Sequence, residues 1–104
     1  VDKTYTKLCR LSDLGESRPM VAEARGENVL LVRLNGDVFA LENRCTHENL
    51  PLNGGQIYDG QIQCPHHGAR FEIKTGKATQ IPGVMELKTY NVKIENDDVL
   101  VALS

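Results

Sequence analysis

Only three cysteines, Cys9, Cys45 and Cys64, occur in the 104 residues. Once two serve another purpose the third has no partner, which excludes a disulfide framework and favours a reducing compartment. No stretch approaches the roughly eighteen consecutive apolar residues of a membrane span. The opening Val1 to Lys7 also lacks the apolar core of a signal peptide. The chain therefore reads as soluble and cytoplasmic, with no membrane partner. A formal net charge of -2 leaves no basic footprint, which argues against nucleic acid and is compatible with steering towards a basic protein. There is no G-x-G-x-x-G, no P-loop, no internal repeat and no low-complexity tract. Gly54-Gly55 and Gly68 precede no helix on which a phosphate would sit, so their task is backbone geometry. A helix of normal length is missing too. Only Leu11 to Gly15, with Ser12 or Asp13 able to cap, suits a single turn.

What remains is the punctuation of an antiparallel β protein in a single domain, 1–104. Tyr5 to Leu11 reads as a strand in which Cys9 is a buried small hydrophobe. Met20 to Ala24 and Val29 to Leu34 flank Gly26-Glu27-Asn28, and Val29-Leu30-Leu31-Val32 has the apolar, β-branched character of a buried strand. Asn35-Gly36 separates it from Val38 to Leu41. An Asn-Gly between apolar runs predicts a type I′ hairpin, because both central residues need positive φ. Asp59-Gly60 repeats the signal between Ile57-Tyr58 and Gln61-Ile62-Gln63, and so delivers Cys64 from a strand end. Phe71 to Ile73 runs into a turn at Lys74-Thr75-Gly76. Tyr90, Val92 and Ile94 alternate with polar residues, as do Val99, Val101 and Leu103 beyond Asn96-Asp97-Asp98.

Two short Cys/His pairs carry the chemistry: Cys45-x-His47 and Cys64-x-x-His67, each followed by turn-forming residues. Four soft or borderline ligands from two loops make one metal site. By ligand identity alone the choice lies open between a structural zinc ion and an iron-sulfur centre. The interleaved order Cys, His, Cys, His differs from a zinc finger, which presents both cysteines first. At these residues, and at Pro65, Gly68, Phe71 and Ile81-Pro82-Gly83, the sequence resembles the Rieske family.

That resemblance implies a 2Fe-2S cluster in which Cys45 and Cys64 bind one iron while His47 and His67 bind the other. His66 lies outside this ligand set. Two thiolates balance the charge of the oxidised core, where four would make it doubly negative, so reduction is easier than in plant-type ferredoxins. Respiratory members carry an extra cysteine in each ligand loop, at positions occupied here by Leu50 and His66, so their disulfide is missing. They also place a Ser and a Tyr, both hydroxyl donors to sulfur, where this chain has Ala69 and Phe71. Without those donors the reduced cluster is less stabilised, and a low potential is expected.

The resemblance further implies an all-β fold, a Rieske-type stacked antiparallel β-sandwich with a cluster-binding subdomain of about 43–83 inserted in a basal β domain. Leu50-Pro51-Leu52, Pro65 and Pro82-Gly83 are then loops that shield the cluster. Glu42, Glu48, Arg70, Glu72, Lys74 and Lys77 read as a solvated charged surface. All three histidines lie in the cluster motif, so none is left for a mononuclear oxygenase iron. No dinucleotide fingerprint is present to take a hydride. The expectation is a monomeric one-electron carrier and not an enzyme: a small ferredoxin between a flavin reductase and a terminal oxygenase. The small Rieske-type subunit of a nitrite reductase and a zinc-stabilised interaction module are the alternatives.

Overall fold

The computed structural model describes residues 4–44, 51–65, 69–80 and 86–103. Its strands are β1 (Tyr5–Arg10), β2 (Met20–Ala24), β3 (Glu27–Leu34), β4 (Asp37–Glu42), β5 (Gln56–Tyr58) and β6 (Gln61–Gln63), then β7 (Arg70–Glu72), β8 (Ala78–Gln80), β9 (Thr89–Tyr90), β10 (Val92–Glu95) and β11 (Asp98–Ala102). They form three antiparallel sheets, in the orders β1-β11-β10, β2-β3-β4-β9 and β5-β6-β7-β8. The fold is all-β, as the sequence reading holds.

β3 explains how the sheets stack. A strand with one wet face alternates, whereas Val29, Leu30, Leu31 and Val32 are all fully buried, so both faces of β3 must be covered. Leu30 and Val32 pack with Leu41, Ile62, Cys64 and Phe71. Val29 and Leu31 pack on the other side with Cys9, Ala40, Val99 and Val101. The β2-β3-β4-β9 sheet is thus the middle layer between two cores, one of which contains Cys64. Truncating Leu30 to Ala would cost about 2–5 kcal/mol.

Among the described residues three hairpins turn through two residues of positive φ. Asn35-Gly36 (52° and 86°) and Asp59-Gly60 (53° and 72°) adopt the expected type I′ geometry. Glu16 adds a brace to the first, its carboxylate accepting the N–H groups of Asn35 and Gly36. The third differs from expectation. Its turn is Arg25-Gly26 (52° and 77°), and Ala24 already pairs with Glu27. Glu27 and Asn28 belong to β3 because pairing to Glu23 and Ala24 outweighs the weak strand preference of those residues. Similarly, Asp98 pairs with Glu95, which leaves Asn96-Asp97 alone as the turn.

β1 stops at Arg10, and Leu11–Asp13 form one 3-10 turn. Asp13 supplies its cap by accepting the Arg10 N–H at 3.0 Å. β8 was not legible in advance. Ala-Thr-Gln has no apolar alternation, and its conformation comes from pairing with β7 after the turn at 73–76.

Candidate metal centre

Of the four candidate ligands, Cys64 alone lies among the described residues; Cys45, His47 and His67 lie outside them, as do Glu48, Leu50, His66, Gly68 and Ile81 to Gly83. Among the described residues no group of three or more His, Cys, Asp or Glu is placed to hold a metal ion. Cys64 follows directly on β6. Its side chain is 1% exposed, and its N–H donates to the Ala69 carbonyl at 2.6 Å. That bond extends the β6-β7 ladder by one step and closes the segment between residues 64 and 69 at its base. The neighbouring Ala69 and Phe71 are both fully buried, and Phe71 pairs with Ile62 across the ladder. Neither offers a hydroxyl.

Gly55 brings the chain just ahead of β5 against this hairpin. A Cβ there would lie 2.2 Å from the Gln63 carbonyl oxygen and 3.0 Å from that of Leu52, both backbone atoms. Only glycine permits the approach. Its N–H donates to the Leu52 carbonyl at 2.9 Å, so its role is close contact between backbones and not presentation of a free donor. Gly54, with φ of 95° and open space around it, provides the turn. Gly54, Gly55, Gln56, Gln63, Cys64 and Pro65 line a cleft of about 330 Å³.

Asn43 escaped the sequence reading. It is 9% exposed and sits between the end of β4 and the segment that holds Cys45 and His47. Its Oδ1 accepts the N–H groups of Leu52 (2.8 Å) and Asn53 (3.0 Å), and its Nδ2 donates to the side-chain oxygens of Asn28 (3.1 Å) and Asn53 (3.0 Å). The one available signal was an asparagine right after an apolar strand and just ahead of a Cys-x-His. Leu52, expected as a shielding loop residue, is fully buried in the core around Cys64.

Two of the charged residues depart from a solvated surface. Glu42 accepts the Lys88 N–H at 2.8 Å and pairs with Arg44 at 3.2 Å, its side chain 17% exposed. Arg70 stacks on Tyr58, its guanidinium carbon 4.8 Å from the ring centre, with a buried Nε that has no hydrogen-bond partner among the described residues. Burial, then the carboxylates of Glu27 and Glu42, push the Tyr90 phenol up to about 12. Burial and, secondarily, Asp13 raise the Cys9 thiol. Cys9 packs in the core opposite the one that holds Cys64, which agrees with its reading as a small hydrophobe.

Residues 4–91 match the family model described as the Rieske [2Fe-2S] domain. The chain belongs to the Rieske family. Over 98 residues it is 37% identical to the ferredoxin component of biphenyl 2,3-dioxygenase from Rhodococcus jostii, covering 94% of this chain and 92% of that one. Its structure is similar to the ferredoxin of carbazole 1,9a-dioxygenase from Nocardioides aromaticivorans, with a TM-score of 0.91, 31% identity and coverage of 95% and 97%. It also resembles a chain in the complex of reduced oxygenase and oxidised ferredoxin in carbazole 1,9a-dioxygenase, with a TM-score of 0.90, 26% identity and coverage of 97% and 94%.

A Rieske domain carries a 2Fe-2S cluster, and the relatives set the zinc module aside. The described residues of this Rieske chain fit such a group. They provide a buried thiol at a strand end, beside a cleft, and a glycine contact that leaves no room for a Cβ. Among the described residues no helix is long and apolar enough to cross a membrane.

Proposed function

We propose that this chain is the ferredoxin component of a ring-hydroxylating dioxygenase system, taking one electron at a time from a flavin reductase and delivering it to a terminal oxygenase. The observation that carries this reading is identity of 37% along nearly the full length of both chains with a dioxygenase ferredoxin component. The structural relative titled as a complex of oxygenase and ferredoxin supports the choice of acceptor. Bound at the site, the cluster supplies reversible one-electron chemistry.

The ligand set of this reading is Cys45 and Cys64 on one iron and His47 and His67 on the other. The unit that holds it is the segment of about 43–83 between β4 and β9. In support, Cys64 is buried beside a cleft at the end of β6. Gly55 holds the end of the first segment against residue 63, and the Cys64 to Ala69 bond closes the base of the second. The carrier works at low potential, because the fully buried Ala69 and Phe71 bring no hydroxyl donor to the sulfur atoms. It acts as a monomer in the cytoplasm, a compartment that suits a buried Cys9 with no disulfide.

The test is anaerobic titration of the purified holoprotein with dithionite, followed by mixing with a flavin reductase and a ring-hydroxylating oxygenase. One electron per chain and reductase-dependent reoxidation by the oxygenase are expected. Failure to take up an electron would refute the carrier role, and reduction without transfer would refute the partner.

A further inference from the structure

We infer that Asn43 is a positioning residue for the cluster, holding the two ends of the Cys45/His47 segment at a fixed separation. This rests on the ligand set proposed above. An asparagine side chain has two acceptor sites on its oxygen and two donors on its nitrogen. All four are used here: Oδ1 by the Leu52 and Asn53 N–H groups, Nδ2 by Asn28 and Asn53. Backbone N–H groups only donate, so they fix which way the amide points.

The network joins three places. Asn28 stands near the start of β3, and the Asn43 N–H also donates to its carbonyl at 3.0 Å. Leu52 and Asn53 stand where the chain leaves the segment, and Asn43 itself stands where the chain enters it. One carboxamide therefore closes residues 44–51 at their base and ties that base to the middle sheet. A closed base removes the loop-closure part of the entropy the segment would otherwise lose on gathering its ligands. A fully satisfied buried network also admits a single arrangement, whereas loss of its centre strands the buried Leu52 N–H. Groups hydrogen-bonded to metal ligands typically change metal affinity or activity by about 10–100-fold when removed, and the same scale is taken for Asn43, which acts through the base of the segment.

Four variants of the holoprotein test this: Asn43→Leu, close in size but apolar, Asn43→Asp, Asn53→Ala and Cys45→Ser. The readouts are far-UV circular dichroism, the rate of cluster loss to a chelator seen by visible absorption, and the paramagnetic resonance line shape of the reduced state. Asn43→Leu is expected to keep its β spectrum, lose the cluster about 10–100-fold faster, and broaden the resonance. Asn43→Asp is expected to restore most of both, because the carboxylate still accepts the two N–H groups and the Asn53 amide can turn to donate, whereas the Asn28 amide nitrogen stays with Glu23.

If Asn43→Leu does not fold, Asn53→Ala carries the test, since it removes one Nδ2 partner and leaves the Asn53 N–H in place. Faster loss with an intact β spectrum supports the inference. Unchanged loss rate and line shape in the folded variants overturn it. Should Cys45→Ser hold an unaltered cluster, the ligand set itself is wrong, an outcome separate from failure of the Asn43 variants alone.

Discussion

Replacing Gly55 by alanine should disturb this protein more than the same change at Gly54, although Gly54 is the residue with the unusual backbone. At Gly54 φ is 95° and a Cβ meets nothing within 4 Å, so the cost is conformational, about 1–2 kcal/mol. At Gly55 the backbone is not left-handed and the cost is spatial. The new Cβ would sit 2.2 Å from the Gln63 carbonyl, where ordinary contact begins at 3.4 Å, so two backbones must part by roughly 1.2 Å. Separation on that scale strains the pairing of Gln56 with Gln63 and the 2.9 Å bond from Gly55 to Leu52. Overpacking at about 1–3 kcal/mol and one lost hydrogen bond at about 1 kcal/mol give about 2–4 kcal/mol. The smaller freedom of the unfolded chain offsets about 0.4–1 kcal/mol in both variants, so their order survives.

Urea unfolding of the holoprotein, followed by far-UV circular dichroism without oxygen, reads the effect. With a slope of about 2 kcal/mol per molar and that offset included, the Gly55→Ala midpoint should fall by roughly 0.5–2 M and the Gly54→Ala midpoint by less than 1 M. Cluster loss should be faster in Gly55→Ala, because the contact lies one residue from Cys64. A Gly55→Ala protein as stable as Gly54→Ala, with normal cluster retention, would refute the reasoning.

The midpoint potential should lie below zero, in the lower part of the family range of about -150 to +300 mV, and Ala69→Ser should raise it by adding a hydroxyl in the second ligand segment. A wild-type value well above zero contradicts the first statement, and an unchanged or lower value in the variant contradicts the second. Tyr90 should weaken the fold at alkaline pH: its phenol titrates near 10 unfolded and about 12 folded, so its contribution is complete below pH 10 and is lost as pH rises towards 12. The loss is at most about 3 kcal/mol, since each unit of difference is worth about 1.4 kcal/mol. Tyr90→Phe removes it, so wild type should lose more stability than the variant between pH 9 and 11.5, and parallel declines would count against the assignment.

Sequence and structure agree best where one physical signal dominates. Asn35-Gly36 and Asp59-Gly60 announce type I′ turns because few other pairs tolerate two positive φ angles. Val29 to Val32 announce a strand covered on both faces because no polar residue interrupts them. Arg25-Gly26 was misplaced because arginine gives no turn signal; pairing of Ala24 with Glu27 imposes its conformation. β8 was invisible because Ala78, Thr79 and Gln80 become a strand only beside β7. At the site, spacing pointed to four ligands, of which Cys64 is the described one. Asn43 was missed for a different reason. Its importance lies in partners at 28, 52 and 53, and nothing in a linear reading says that those positions converge.

Under the proposed ligand set two thiolates and two imidazoles share the cluster. Pulsed paramagnetic resonance of the dithionite-reduced protein, made once with natural histidine and once with nitrogen-15 histidine, tests it most directly. Mixed ligation predicts a half-spin signal with strong couplings from two directly bound nitrogens that change with the label and disappear in pairwise replacement of His47 and His67. A spin-silent metal, or a cluster signal without a bound histidine nitrogen, would contradict it.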